Sequence, residues 1–84
     1  MEAISVVEVI PAVREYITNE LLQRNDLHIS DDTALIEEGY LTSLQAVELI
    51  MFLEERFNVE IDPAEVDEQN FRTLNDIAAL VTRR

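Results

Sequence analysis

The chain of 84 residues sets 6 Lys+Arg against 18 Asp+Glu, a formal net charge of −12, so nucleic acid and anionic membrane surfaces are excluded as natural partners. Its length allows one small domain with a thin core, and a hydrophobic fraction of 48% excludes a disordered tail. With no Cys, one His (His28) and one Gly (Gly39), the chain lacks the means for thiolate chemistry, histidine zinc sites, Ser–His triads and glycine-rich phosphate loops.

The first predicted helix draws on Ser5 to Gln23, with Val6, Ile10, Val13, Ile17 and Leu21 as its buried stripe. Ser5 and Glu8 have capping-box spacing. Pro11 either kinks this helix or sits in its first turn; one bent helix is the expectation. From Asn25 to Thr42 the chain mixes turn-forming residues with Leu27, Ile29, Leu35, Ile36, Tyr40 and Leu41, which should pin a long connection across the bundle. Within it, Ser30 and His28 read as loop residues, Tyr40 as a core anchor, and Asp31-Asp32 as a solvated turn pair.

A second helix is expected from Thr42 or Ser43 to about Phe57, with Thr42 and Gln45 spaced as a capping box. Asp62-Pro63 then opens a short helix, with Asp62 as N-cap and Pro63 at the first helical position. A last helix from about Leu74 to Arg83 starts at Thr73 and Asp76, buries Leu74, Ile77, Ala78 and Val81, and ends on Arg83-Arg84, which complement its negative end. Nothing alternates as a strand. The fold class is all-α, three main helices plus one short helix. No repeat or linker divides residues 1–84, periodic structure reaches both ends, and no apolar run suits a signal peptide or membrane span. A free-standing, monomeric, cytoplasmic domain is the expectation.

The second helix has two apolar sides. Ala46, Leu49, Ile50, Leu53 and Phe57 gather on one, enough to face the core, while Leu44, Val47 and Met51 gather on the other. Glu48, Glu54 and Glu55 fall around that second group. Either the trio is further core beneath the connecting segment, or it is an exposed docking patch of apolar anchors inside a charged rim. The second reading is preferred, because carboxylates surround the trio. They would steer a Lys/Arg-bearing partner, and salt would weaken the encounter.

Gly39-Tyr40-Leu41-Thr42-Ser43-Leu44, followed by Val47-Glu48-Leu49-Ile50 and Leu53-Glu54-Glu55-Arg56-Phe57, resembles the acyl carrier protein family of phosphopantetheine-binding proteins. The likeness spans nearly the whole chain in size, acidity and helix order, and implies an acyl-carrier-protein-like four-helix bundle. It also implies that Ser43 receives a 4′-phosphopantetheine arm from coenzyme A through a phosphopantetheinyl transferase, the hydroxyl attacking the pyrophosphate to form a phosphodiester. Cargo then rides on the arm's thiol as a thioester, so a cysteine-free, non-catalytic chain suffices. The resemblance gives Thr42, Leu44, Val47, Glu48, Met51, Glu54 and Glu55 the role of docking acyltransferase, ligase or synthase enzymes with basic surfaces.

Thr42 stands where the family usually has Asp; Thr keeps the N-cap role and loses a charge, which bears on which transferase accepts the chain. Gly39 lies four residues before Ser43, whereas fatty-acid carriers typically place Gly three before. That offset is similar to D-alanyl carriers and to discrete carriers of specialised polyketide units, and it points to polyketide, antibiotic or related natural-product biosynthesis. The alternative is an acidic helical adaptor that binds a basic protein and carries no prosthetic group, with Ser43 an ordinary cap.

Overall fold

The computed structural model describes residues 5–24 and 26–83. Helix α1 spans Val6–Glu15 and runs on into a π-helical segment, Tyr16–Leu21. Helix α2 spans Ser43–Phe57, a 3-10 turn covers Pro63–Glu65, and α3 spans Leu74–Thr82. The described residues contain no strand, in line with the all-α expectation and its three main helices plus a short one.

Pro11 lies inside α1, beyond its first turn, so the segment is one continuous helical path. Proline there strips a donor from the ladder, and the carbonyl left over belongs to Val7; both residues lie on the exposed side, where water can meet it. The buried stripe differs from the expected one at both ends. Val9 is fully buried and joins Ile10, Val13 and Ile17, whereas Val6 is 42% exposed and Leu21 only half-buried. At the helix start, Ser5 accepts from the Val7 N–H at 3.2 Å. Glu8 makes no reciprocal bond among the described residues, so the Ser5–Glu8 box is not formed.

The π-helical turn has a local cause. Ile17, Thr18 and Asn19 are weak helix formers. The Thr18 hydroxyl also donates to the Arg14 carbonyl at 3.0 Å, the acceptor that an α-helix would assign to the Thr18 N–H. The ladder widens to five-residue spacing, with the Leu22 N–H on the Ile17 carbonyl at 2.9 Å. Gln23, in the left-handed region at φ 53°, ends it.

The long connection is pinned as expected. Ile29, Leu35 and Leu41 are buried, and Leu27, Ile36 and Tyr40 pack against the core, Tyr40 as the expected anchor. Asp31 and Asp32 form the expected solvent-facing turn and make contacts besides: Asp31 pairs with Arg14, and Asp32 accepts from the Asn75 amide at 2.8 Å. Arg14 also donates to the Ile29 carbonyl at 2.8 Å, and the Leu35 N–H bonds the Arg72 carbonyl at 2.8 Å. The turn-forming acids therefore tie the connection to α1 and α3. Ser30 is a loop residue bonded to Thr33, and His28 is exposed in the same loop.

One core unites the molecule. Leu49, Leu53 and Phe57 of α2 meet Val9, Val13 and Ile17, the α3 residues Leu74, Ile77, Ala78, Leu80 and Val81, and Phe71 just before α3. Burying each such side chain contributes on the order of 1.5–3 kcal/mol, which offsets the entropy of fixing so short a chain. The end signals of the later helices are formed as read. Thr73 caps the Asp76 N–H at 3.1 Å, and Asp62 accepts from the Ala64 N–H at 2.8 Å ahead of Pro63. Arg83 is the C-cap of α3; Arg84 and Asn25 lie outside the described residues.

Candidate functional site

The site is built on the entry to α2. Gly39 takes φ +81°, a conformation side chains resist, so the chain can reverse there. The Gly39 N–H donates to the Ile36 carbonyl at 3.1 Å and the Tyr40 N–H to the Leu35 carbonyl at 2.8 Å. Leu41 then plugs into the core, which leaves Thr42 outside as the N-cap and Ser43 as the first helical residue. The four-residue step from Gly39 to Ser43 therefore holds one reversal, a half-buried anchor, a buried anchor and a cap.

The capping box at Thr42 is complete. The Gln45 N–H donates to the Thr42 hydroxyl at 3.3 Å, and the Gln45 side-chain carbonyl accepts from the Thr42 N–H at 3.0 Å. Ser43 beside it is exposed, and its hydroxyl has no partner among the described residues. A first-turn serine whose hydroxyl is spared by its neighbour's cap is free for covalent chemistry. The N–H groups of Ser43 and Leu44 belong to the unsatisfied donors of a helix start, a setting that favours a phosphate anion.

Two surfaces adjoin that hydroxyl. Leu44, Val47 and Met51 are 70%, 51% and 63% exposed, so the connecting segment does not cover the trio. Thr42, Glu48 and Glu55 are exposed as well. Glu54 departs from the expected rim: it is half-buried, and its carboxylate accepts from the Ile61 N–H at 3.0 Å, fastening the chain that follows α2. Its position on α2 borders the core side, so it serves as a local cap and its charge is partly spent.

The second surface is a cleft of about 350 Å³ between the start of α2 and the stretch around Val66 and Phe71. Ser43 stands on its lining with Ala46, Val47, Leu41 and Ile36, and Asp67 and Glu68 border it. The sequence reading did not bring Val66 and Phe71 to this place. Their signal was weak: two isolated apolar residues in a polar stretch, which only the packing of that stretch against α2 turns into a wall.

The residues present suit a phosphopantetheine ester: an exposed, unengaged hydroxyl, helix-start donors beside it, and an apolar cleft alongside. Among the described residues no group of His, Cys, Asp and Glu could hold a metal ion, and no helix is long and apolar enough to cross a membrane.

Comparison with known proteins bears on the same region. A family model described as a phosphopantetheine attachment site matches residues 11–81. The chain is 42% identical over 53 residues to the D-alanyl carrier protein of Lactococcus lactis subsp. cremoris, covering 63% of this chain and 67% of that one. It is 38% identical over 56 residues to the acyl carrier protein of Chlamydia caviae, covering 67% and 70%. Similarity to the D-alanyl carrier protein of Bacillus velezensis is 32% over 63 residues, 75% and 81% of the two chains.

Proposed function

Because the chain belongs to the carrier-protein family defined by a phosphopantetheine attachment site, we propose that Ser43 is its attachment residue and that a pathway intermediate tethered there is presented to partner enzymes. The chain is a non-catalytic carrier with covalent 4′-phosphopantetheine as its cofactor. When bound, that group supplies the thiol this cysteine-free sequence lacks, on which cargo is held as a thioester. The chain's own part is to present and hold. Ser43 loses its hydroxyl proton to a base of the transferase, and its oxygen takes the phosphopantetheine phosphate of coenzyme A while the nucleotide half leaves. The first turn of α2 then steadies the phosphodiester anion.

The observation that carries this reading is the exposed Ser43 hydroxyl, without a partner among the described residues, at the head of a helix whose first three turns present Leu44, Val47 and Met51 to solvent. Those three act as apolar anchors for the phosphopantetheinyl transferase and for acyltransferase, ligase or synthase partners. Thr42, Glu48 and Glu55 meet the partners' basic residues, with Glu54 at the edge. We place this work in the cytoplasm, on a monomer, in polyketide or related natural-product biosynthesis, supported by the Gly39–Ser43 spacing. A second reading is favoured by the relatives named D-alanyl carrier proteins: an aminoacyl load such as D-alanine.

Incubation with coenzyme A and a broad-specificity transferase should add one phosphopantetheine to the intact mass. Ser43→Ala should abolish the gain completely while circular dichroism stays unchanged. A gain that survives the substitution, or none in the wild type, overturns the assignment. In the adaptor alternative Ser43→Ala leaves function intact and only Val47→Asp abolishes partner binding.

A further inference from the structure

All six cations of the chain are arginine: Arg14, Arg24, Arg56, Arg72, Arg83 and Arg84. Lysine is among the commonest residues of soluble proteins, so a chain of 84 residues that spends every cation on arginine asks for a reason. Guanidinium geometry supplies one at two positions.

Arg14 uses its planar fork. It donates to the Ile29 carbonyl at 2.8 Å and pairs at the same time with Asp31. Arg56 uses its flat face. It lies at the edge of an open groove between α2 and the α1–π segment, and its guanidinium covers the Phe57 ring, 5.0 Å from the centroid. That groove consists of two adjoining hollows, of about 500 and 670 Å³, over the stacked rings of Tyr16 and Phe52, whose centroids are 4.1 Å apart.

The other described arginines make no such demand. Arg72 meets Glu37 through one nitrogen at 3.3 Å, with both side chains well exposed. Arg83 donates to the Asn70 side-chain carbonyl at 3.4 Å, and Arg24 is exposed with no side-chain partner among the described residues. Lysine would hold each of these three places, which offer one acceptor or none, in water.

The two side chains differ as nucleophiles. A guanidinium stays protonated, whereas lysine, with an ordinary pKa of about 10.4, is a neutral amine in about 0.4% of molecules at pH 8. We propose that lysine is kept out of this chain because cargo held as a thioester on Ser43 would acylate it. The inference rests on the attachment reading of Ser43. In the step that is avoided, the amine nitrogen bonds to the thioester carbonyl carbon and the carbon–sulfur bond breaks. The nitrogen gives up a proton and the departing sulfur takes one. The products are an amide on the chain and a free thiol, and the cargo is lost to thioester chemistry. A tether makes the encounter intramolecular, at an effective concentration on the order of mM. Arg72 directly follows Phe71, a wall of the cleft on which Ser43 stands, so an amine there would be near the cargo. Hydroxyl groups with no base beside them are poor acceptors by comparison. The class of cargo protected in this way is small, unhindered acyl or aminoacyl groups, whose carbonyl is open to attack.

The test loads the full chain from acetyl coenzyme A and follows hydroxylamine-resistant acetyl by intact mass and peptide mapping. One variant combines Arg24→Lys, Arg72→Lys and Arg83→Lys at unchanged net charge. A second, Glu68→Lys, sets an amine on the rim of the cleft itself. Both should collect at least about tenfold more amide-bound acetyl than wild type. The triple variant should melt within about 2 °C of wild type. Wild type should lose acetyl no faster than free acetyl-pantetheine does. The proposal is overturned if either variant keeps its thioester as long as wild type, or if wild type outpaces the free thioester. It is overturned too if the triple variant melts lower than that margin, since those arginines then have a structural reason. A chain that takes up no arm shows it in its mass before any transfer, so failure at Ser43 is read separately.

Discussion

The cleft beside Ser43 and the groove over Tyr16 lie on opposite flanks of α2, and their walls are made differently. Beside Ser43 the wall rests on Leu41 and Phe71, both fully inside the core, with Val47 at the rim. Over Tyr16 the floor is two half-buried rings outside the core, edged by carboxylates with no ion-pair or hydrogen-bond partner among the described residues. One flank is an extension of the hydrophobic interior that opens to the surface at a single hydroxyl. The other is a surface feature that contributes little to holding the fold and is shaped by charge. A 15-residue helix in so small a protein thus serves three ends at once: Leu49, Leu53 and Phe57 for the core, and one flank for each recess. That division explains why α2 lacks the polar outer face of an ordinary surface helix.

The largest expected contrast between the flanks is in stability. Phe71→Ala should cost about 3–5 kcal/mol by emptying a fully packed position, enough to unfold much of so small a domain. Phe52→Ala, which removes a half-buried stacked ring, should cost about 1–2 kcal/mol. Denaturant midpoints measure both, and equal losses would mean that the groove floor is as much core as the cleft wall.

A smaller effect separates two neighbouring carboxylates. Glu54→Ala leaves the Ile61 N–H without its acceptor and should lower stability by about 1 kcal/mol, roughly 4–8 °C in Tm. Glu55→Ala, on the groove side, should change it by less than about 0.5 kcal/mol. Reversal of that order in thermal melts would return Glu54 to the open rim.

The finest test reads the electrostatics of the groove directly. The Tyr16 phenolate should form only above the ordinary value of 10.0, because burial and then Glu48 and Glu20 disfavour its charge. Phenolate absorbance should show Tyr16 titrating late, and Glu48→Gln should bring its midpoint down. The folded chain holds this proton more tightly than the unfolded one. The corresponding stability is therefore present at neutral pH and is lost as pH rises from the unfolded pKa through the raised folded one. A midpoint indifferent to Glu48→Gln would separate the two walls of the groove.

Much of this was legible from residue order because it depends on near neighbours. Thr42 and Gln45, Asp62 and Pro63, and Thr73 and Asp76 lie within a turn of each other, and caps form between residues that close. The exposure of Leu44, Val47 and Met51 depends on where the connecting segment packs, which residue spacing does not set. The ties that the turn residues Asp31 and Asp32 make were not legible, because their partners, Arg14 and Asn75, are 17 and 43 residues away. Val9 displaced Val6 from the stripe because the buried face of a helix is chosen by what packs on it.

The amino-acid order alone determined the helix starts, the two-sided character of α2 and the placing of Ser43 at its head, since helical period and end-capping are local physics. Tertiary structure decided which recesses flank that helix. Val66 and Phe71 reach the Ser43 side, and the π-helical turn brings Tyr16 onto Phe52, only because separate segments bury against one shared core. Period and spacing say which residues share a face; contact between segments far apart in the chain sets what stands opposite them.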